Sequence, residues 1–197
     1  MARTRLTPER EAELYAAVLD LLREVGYDAL TMDAVAARTR SSKATLYRQW
    51  GSKPELVVRA MRSTKPHGVG ECDTGSLRGD FLTMVGHTDD CQMEKDTALM
   101  RGLMHAVHTN PDLHQALREL LIEPEVSGLD QLLDRAVERG EVAADNPALG
   151  YVTHMLVGAF VARQLIEDRS PNRAFLAEYI DAVVLPALGI RPDLSGT

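Results

Sequence analysis

Cysteine is scarce in this 197-residue chain, with two copies, and aromatic residues make up only 5% of it. Cys72 and Cys91 are too few for a disulfide framework or a four-cysteine metal site, so reduced thiols and no bound metal are expected. Strand signals are nearly missing: β-branched residues do not alternate, which excludes a sheet as the main scaffold. No phosphate-binding glycine loop, nucleophile elbow or metalloprotease spacing occurs, so neither an enzyme nor a cofactor is expected. No apolar run looks long enough for export or for a membrane span, which points to the cytosol and away from a membrane partner.

What is present is the composition of a globular protein, 45% apolar and 26% charged. The net charge of −7 is unevenly spread. Residues 1–65 hold 12 Lys/Arg against 8 Asp/Glu, while residues 66–197 hold 10 against 21. Between positions 38 and 62 stand Arg38, Arg40, Lys43, Arg48, Lys53, Arg59 and Arg62, with Glu55 the single acid among them. A local positive field of this kind is what phosphate contact requires.

Apolar residues recur at three and four, so an all-α chain of about nine helices is expected. Thr7 caps a first helix with Pro8 in its first turn, and its stripe of Leu14, Val18, Leu21, Leu22 and Val25 stops at Gly26. Thr31 caps a short second helix and Ser42 a short third one. Ser52-Lys53-Pro54-Glu55 forms a capping box that opens a fourth, ending near Thr64. Residues 66–75 are rich in glycine and coincide with the change of charge sign. The expected domains are therefore 1–65, a three-helix reading head with its connecting fourth helix, and 66–197, a larger helical domain. In the latter, helices are expected near 76–88, 94–108, 111–139 with a break about Pro124, 147–168 and 172–187.

Residues 31–50 supply a scaffold helix, a tight turn and a second helix with a small polar outward face, the parts of a helix-turn-helix that enters the major groove. With Leu46 turned inward, Ser42, Lys43, Ala44, Thr45, Tyr47 and Arg48 are expected outside. They mix base-reading groups with phosphate donors. Thr31 and Lys53, each at a helix N-terminus, are expected to clamp phosphates.

Leu30-Thr31-Met32 with Val35-Ala36, then Ser42-Lys43-Ala44-Thr45-Leu46-Tyr47-Arg48-Gln49-Trp50 and Lys53-Pro54-Glu55-Leu56, resembles the TetR family of bacterial transcription regulators. The resemblance covers about residues 8–62 strongly. Beyond them it rests on helical layout and on phrases such as Asn110-Pro111-Asp112-Leu113 and Glu138-Arg139-Gly140-Glu141. It implies a homodimeric repressor that binds palindromic operator DNA and is released by a small molecule. Tyr47 and Lys53 then match phosphate-touching positions, and Lys43 to Thr45 the base-reading stretch. Arg40 stands where the family usually has glycine. A left-handed backbone costs a non-glycine residue about 1 kcal/mol, so a slightly reshaped turn is expected.

The last two helices are apolar enough to form a dimer interface. Val152, Leu156, Ala159, Phe160 and Arg163 are expected on one side of it, and Phe175, Tyr179, Ile180, Val183 and Val184 on the other. Met84, Met100, Leu103, Met104, His105, Leu121, Tyr151 and His154 are the candidate walls of a pocket for an apolar or amphipathic effector. Two alternatives stand beside this reading: an activator of the same fold, or a metal or redox sensor built from His87, Cys91, His105 and His108.

Overall fold

The computed structural model describes residues 7–65 and 68–191, and the regular elements among them are all helical. The expected boundary begins at Pro66 and His67, which lie outside the described residues.

Local chemistry accounts for the first elements. Helix α1 (Pro8–Ala29) starts where the Thr7 hydroxyl accepts from the Arg10 N–H at 3.3 Å. At Gly26 the backbone turns to φ 75°, which breaks the helical run where the apolar stripe ends. Helix α2 (Met32–Thr39) is capped by Thr31, whose hydroxyl accepts from Ala34 N–H at 3.1 Å. Ser42 does the same for Thr45 N–H at the start of α3 (Lys43–Trp50), and Ser52 for Glu55 N–H at the start of α4 (Lys53–Arg62). After these come α5 (Leu77–Gly86), α6 (Asp90–Thr109), α7 (Pro111–Leu117), α8 (Glu123–Glu138), α9 (Val152–Glu167), α10 (Arg173–Tyr179) and α11 (Leu185–Ala187).

Two π turns join helices into longer rods: Arg118–Ile122 links α7 to α8, and Ile180–Val184 links α10 to α11. Each precedes a proline, Pro124 or Pro186. Proline has no N–H for the carbonyl four residues back, and its ring crowds that carbonyl. The helix widens to relieve this instead of breaking. At the first turn, Arg62 Nη1 donates to the Leu120 carbonyl at 3.4 Å. With these rods joined, the described residues hold nine helices, as expected.

The chain folds as two compact units, Met1–Pro66 with Leu99–Glu123, and His67–Ala98 with Pro124–Thr197. In the first, α4 packs on α1 and α7. Leu14, Val18, Leu46, Leu56, Val57 and Leu113 are fully covered there. In the second, Leu77, Phe81, Leu132, Val152, Ile180 and Val184 form the core. The same unit buries Asp80 completely. That carboxylate accepts from Thr74 Oγ1 at 2.8 Å and Arg139 Nη2 at 3.2 Å. Arg139 Nε donates to Glu141, whose other oxygen accepts the Leu77 N–H at 2.7 Å. Arg139 and Glu141 of the phrase Glu138-Arg139-Gly140-Glu141 thus belong to the network that satisfies buried Asp80, the condition on which a charge can leave water.

The expectation that no stretch could span a membrane is corrected for Leu149–Glu167. Its 19 residues, at mean hydropathy 1.3, are long and apolar enough by length and composition, and 17% of them are buried.

Candidate nucleic-acid interface

The α2–turn–α3 unit is held from beneath by apolar contact and from the side by polar ties. Leu46 and Trp50 are buried, and Trp50 Nε1 donates to Tyr15 Oη at 2.9 Å. The Tyr15 hydroxyl in turn donates to Glu11 at 2.8 Å, and burial pushes its pKa up to about 12. Arg10 Nη2 donates to the Thr39 carbonyl at the end of α2. Arg38 pairs with Glu24 of α1 through two bonds of 3.1 and 2.7 Å.

The turn after α2 closes through a left-handed residue with no glycine to supply it. Arg40 itself takes the left-handed conformation, φ 51° and ψ 38°. Its N–H bonds Ala37 O at 3.4 Å, and Ser41 N–H bonds Ala36 O at 3.0 Å, the paired bonds of a Schellman ending. Arg40→Gly is therefore expected to stabilise the protein by up to about 1 kcal/mol, a melting rise of about 2–4 °C. It removes an exposed cation at the same time, so stability and DNA affinity are expected to move in opposite directions. A calorimetric melt that does not rise counts against strain at this position.

Around this frame, Thr31, Arg40, Ser42, Lys43, Ala44, Tyr47 and Arg48 are exposed and Thr45 half-buried. Tyr47 keeps 45% of its surface, unusual for a large side chain on an eight-residue helix in a packed unit. The cations differ in how far they are committed. Lys43 Nζ donates to Asp33 at 2.9 Å, and that bond holds its pKa above the usual lysine range. Lys53 Nζ donates to the Tyr27 and Leu30 carbonyls, both at 2.9 Å, and lies 4.1 Å from the Tyr27 ring centroid. Burial pulls the Lys53 pKa down, with Asp28 opposing. Two of its three N–H groups thus close the end of α1, which leaves one for a phosphate. Among the described residues Arg40 and Arg48 take no ion pair or hydrogen-bond acceptor, so they are the uncommitted cations of this face. The Asp33 carboxylate beside the reading helix escaped the sequence reading, because ten residues and a turn separate it from Lys43 and no local spacing marks such a pair.

Elsewhere the structure redistributes the expected sites. Val152, Ala159, Ile180 and Val184 are buried in their own unit and have nothing left to cover against a second copy. Arg163 is buried too, and Leu156, Phe160, Phe175 and Tyr179 are half-buried. Of the expected interface only Val183 is exposed. The open apolar face of α9 is instead Val157, Val161 and Leu165 on successive turns, with Ile166 beside them, at 58, 51, 79 and 81% exposure.

The expected pocket residues divide between the cores of the two units and the surface. Met100, Leu103 and Leu121 join the core of the first unit, and Met84 that of the second. Met104, His105, Tyr151 and His154 are exposed. The reason is that a stripe of methionine and leucine at helical spacing is satisfied by core packing alone. Among the described residues no three of His, Cys, Asp and Glu gather as a metal-binding group, so His87, Cys91, His105 and His108 are not brought together.

An exposed, basic, two-helix reading surface on a rigid three-helix support defines a helix-turn-helix DNA-binding regulator. Sequence comparison carries this further. Residues 14–60 match the family described as bacterial regulatory proteins, tetR family, and residues 71–183 match the tetracyclin repressor-like C-terminal domain. The chain belongs to the tetR family of transcription regulators, a family of DNA-binding proteins and not of enzymes. It is 35% identical over 179 residues to the HTH-type transcriptional regulator Rv1556 of Mycobacterium tuberculosis, covering 91% of this chain and 88% of that one. To the DNA-binding transcriptional repressor TetR of Mycobacteroides abscessus it is 33% identical, over 89% and 92% of the two chains. The crystal structure of the TetR family transcription regulator SCO0332 superposes with a TM-score of 0.66 at 29% identity, over 91% and 98% of the chains.

Proposed function

We propose that the protein is a cytosolic repressor that binds palindromic operator DNA as a homodimer and lets go when a small molecule occupies its second unit. The observation that carries this reading is the exposed face of α3, with Lys43, Ala44, Tyr47 and Arg48 open to solvent above a buried Leu46 and Trp50. Lys43 and Thr45 read base edges; Arg40, Arg48, Tyr47 and the remaining Lys53 donor hold phosphates, with Thr31 joining them at the start of α2. A single helix-turn-helix covers too few base pairs for an unambiguous site, and a two-fold pair reads a palindrome. The open stripe on α9 is the natural place for that pairing, since a stripe buried against its equal leaves neither copy exposed. Repression is favoured by the likeness to the Mycobacteroides abscessus relative, a transcriptional repressor.

Selection from a random duplex pool, followed by mobility shift on the gene's own upstream region, tests the reading. A palindrome is expected to emerge, bound two protomers at a time. Arg48→Ala is expected to weaken binding at every sequence and to reduce the salt slope by about one. Lys43→Ala should instead relax preference at one base position. A pool that yields no preferred duplex at moderate salt sinks the proposal.

A further inference from the structure

Between residues 31 and 54 the chain carries five cations, Arg38, Arg40, Lys43, Arg48 and Lys53, and a single acid, Asp33. That acid stands in the first turn of α2, and its Oδ2 accepts from Lys43 Nζ at 2.9 Å. Both side chains are open to solvent, Lys43 at 50% and Asp33 at 71%. A carboxylate in this place repels the phosphates that the surrounding cations attract, so it lowers affinity for any duplex. Stability does not account for it: an exposed pair contributes little, and the Thr31 hydroxyl already caps α2.

What the bond does is restrict Lys43. This lysine is the first residue of α3, and the N-terminal residues of a reading helix are the ones that meet base edges. On its flexible four-carbon stem a free ammonium would swing to a phosphate, the class of partner that takes half or more of the hydrogen bonds to DNA. The bond to Asp33 uses one of the three N–H groups and holds the amine between α2 and α3. Two N–H groups are left, and the major-groove edge of guanine offers two acceptors, O6 and N7. The carboxylate can itself accept from the N4 amino group of cytosine, whereas the O4 of thymine repels it. Inside the groove, where bulk water is displaced, the pair holds more firmly than on the free protein.

We propose that Asp33 is a positioning residue for operator reading: it denies Lys43 to the phosphates and aims its ammonium at the guanine of a G·C pair. This deepens the proposed DNA reading and rests on it.

The test uses the full-length protein and the duplex that emerges from the random pool. At each guanine of both half-sites, 7-deazaguanine, which lacks the N7 acceptor, and the other base pairs are placed in turn, and affinity is read by mobility shift across a salt series. Wild type is expected to lose about ten-fold or more at one guanine per half-site. Asp33→Asn keeps the shape and removes the charge. It is expected to lose less than about three-fold there, while binding random duplex more tightly and with a salt slope steeper by about one. Asp33→Glu should restore part of the preference, and in a Lys43→Met background Asp33→Asn should change base preference no further. An unchanged preference in Asp33→Asn, weaker binding of random duplex, the same loss of preference without Lys43, or a wild type that reads A·T at the affected position overturns the assignment. A lower melting temperature as the only effect does so too, since it marks a carboxylate that serves the α2 dipole alone. In all of these the wild type still selects a duplex and the regulator reading stands; a wild type that selects none refutes that reading and this one with it.

Discussion

Glutamate at both Val161 and Leu165 is expected to turn a dimer into a folded monomer and to cost at least about 100-fold in affinity for a palindromic operator. Both side chains are exposed in the protomer, so the substitutions remove nothing from its core, and helical circular dichroism and melting of the protomer should be little changed. At a two-fold interface the same four carboxylates meet each other across a dry contact, where like charges repel and lose their hydration. Without pairing, each reading head binds alone and the avidity of two linked heads is lost. Light scattering decides the matter: the wild type is expected at twice the 21.7 kDa protomer mass and the variant at that mass itself. A variant that stays dimeric places the interface elsewhere.

Gly128→Ala is expected to damage the second unit. A Cβ there falls 2.7 Å from the Gly70 backbone nitrogen and 3.3 Å from Val69 Cβ, so backbone has to move. Overpacking of that kind costs about 1–3 kcal/mol. The sign is informative, because alanine for glycine inside a helix otherwise gains up to about 1 kcal/mol. Gly102 in α6 is the control: a Cβ there meets nothing within 4 Å, and Gly102→Ala should stabilise. Thermal unfolding of the two variants is expected to shift in opposite directions; a Gly128→Ala protein as stable as wild type would falsify the close approach of the 68–71 segment to α8.

Much of the first unit was legible residue by residue. Thr7, Thr31, Ser42 and Ser52 announce helix starts because each hydroxyl acts on an N–H three residues away, and all four make that bond. Pro124 marked a disturbance for the same reason, although the helix answered it by widening. The candidate site was legible as a list of exposed residues on α3. Its electrostatics were not: Lys53 reads as a phosphate clamp, whereas in the fold it first satisfies the Tyr27 and Leu30 carbonyls. In the same way, α9 reads as one apolar helix, and nothing in its spacing says which of two apolar faces the protomer keeps.

The amino-acid order alone therefore determined the all-helical class, the capped helix starts of the first unit and the reading-head motif, since caps, prolines and a 3.6-residue period act within one or two turns of chain. Only the tertiary structure decided which cations stay uncommitted, which face of α9 is left bare, and that Asp33 holds Lys43. Those outcomes depend on what lies across the fold from each side chain, and residues far apart in the chain carry no local mark of meeting.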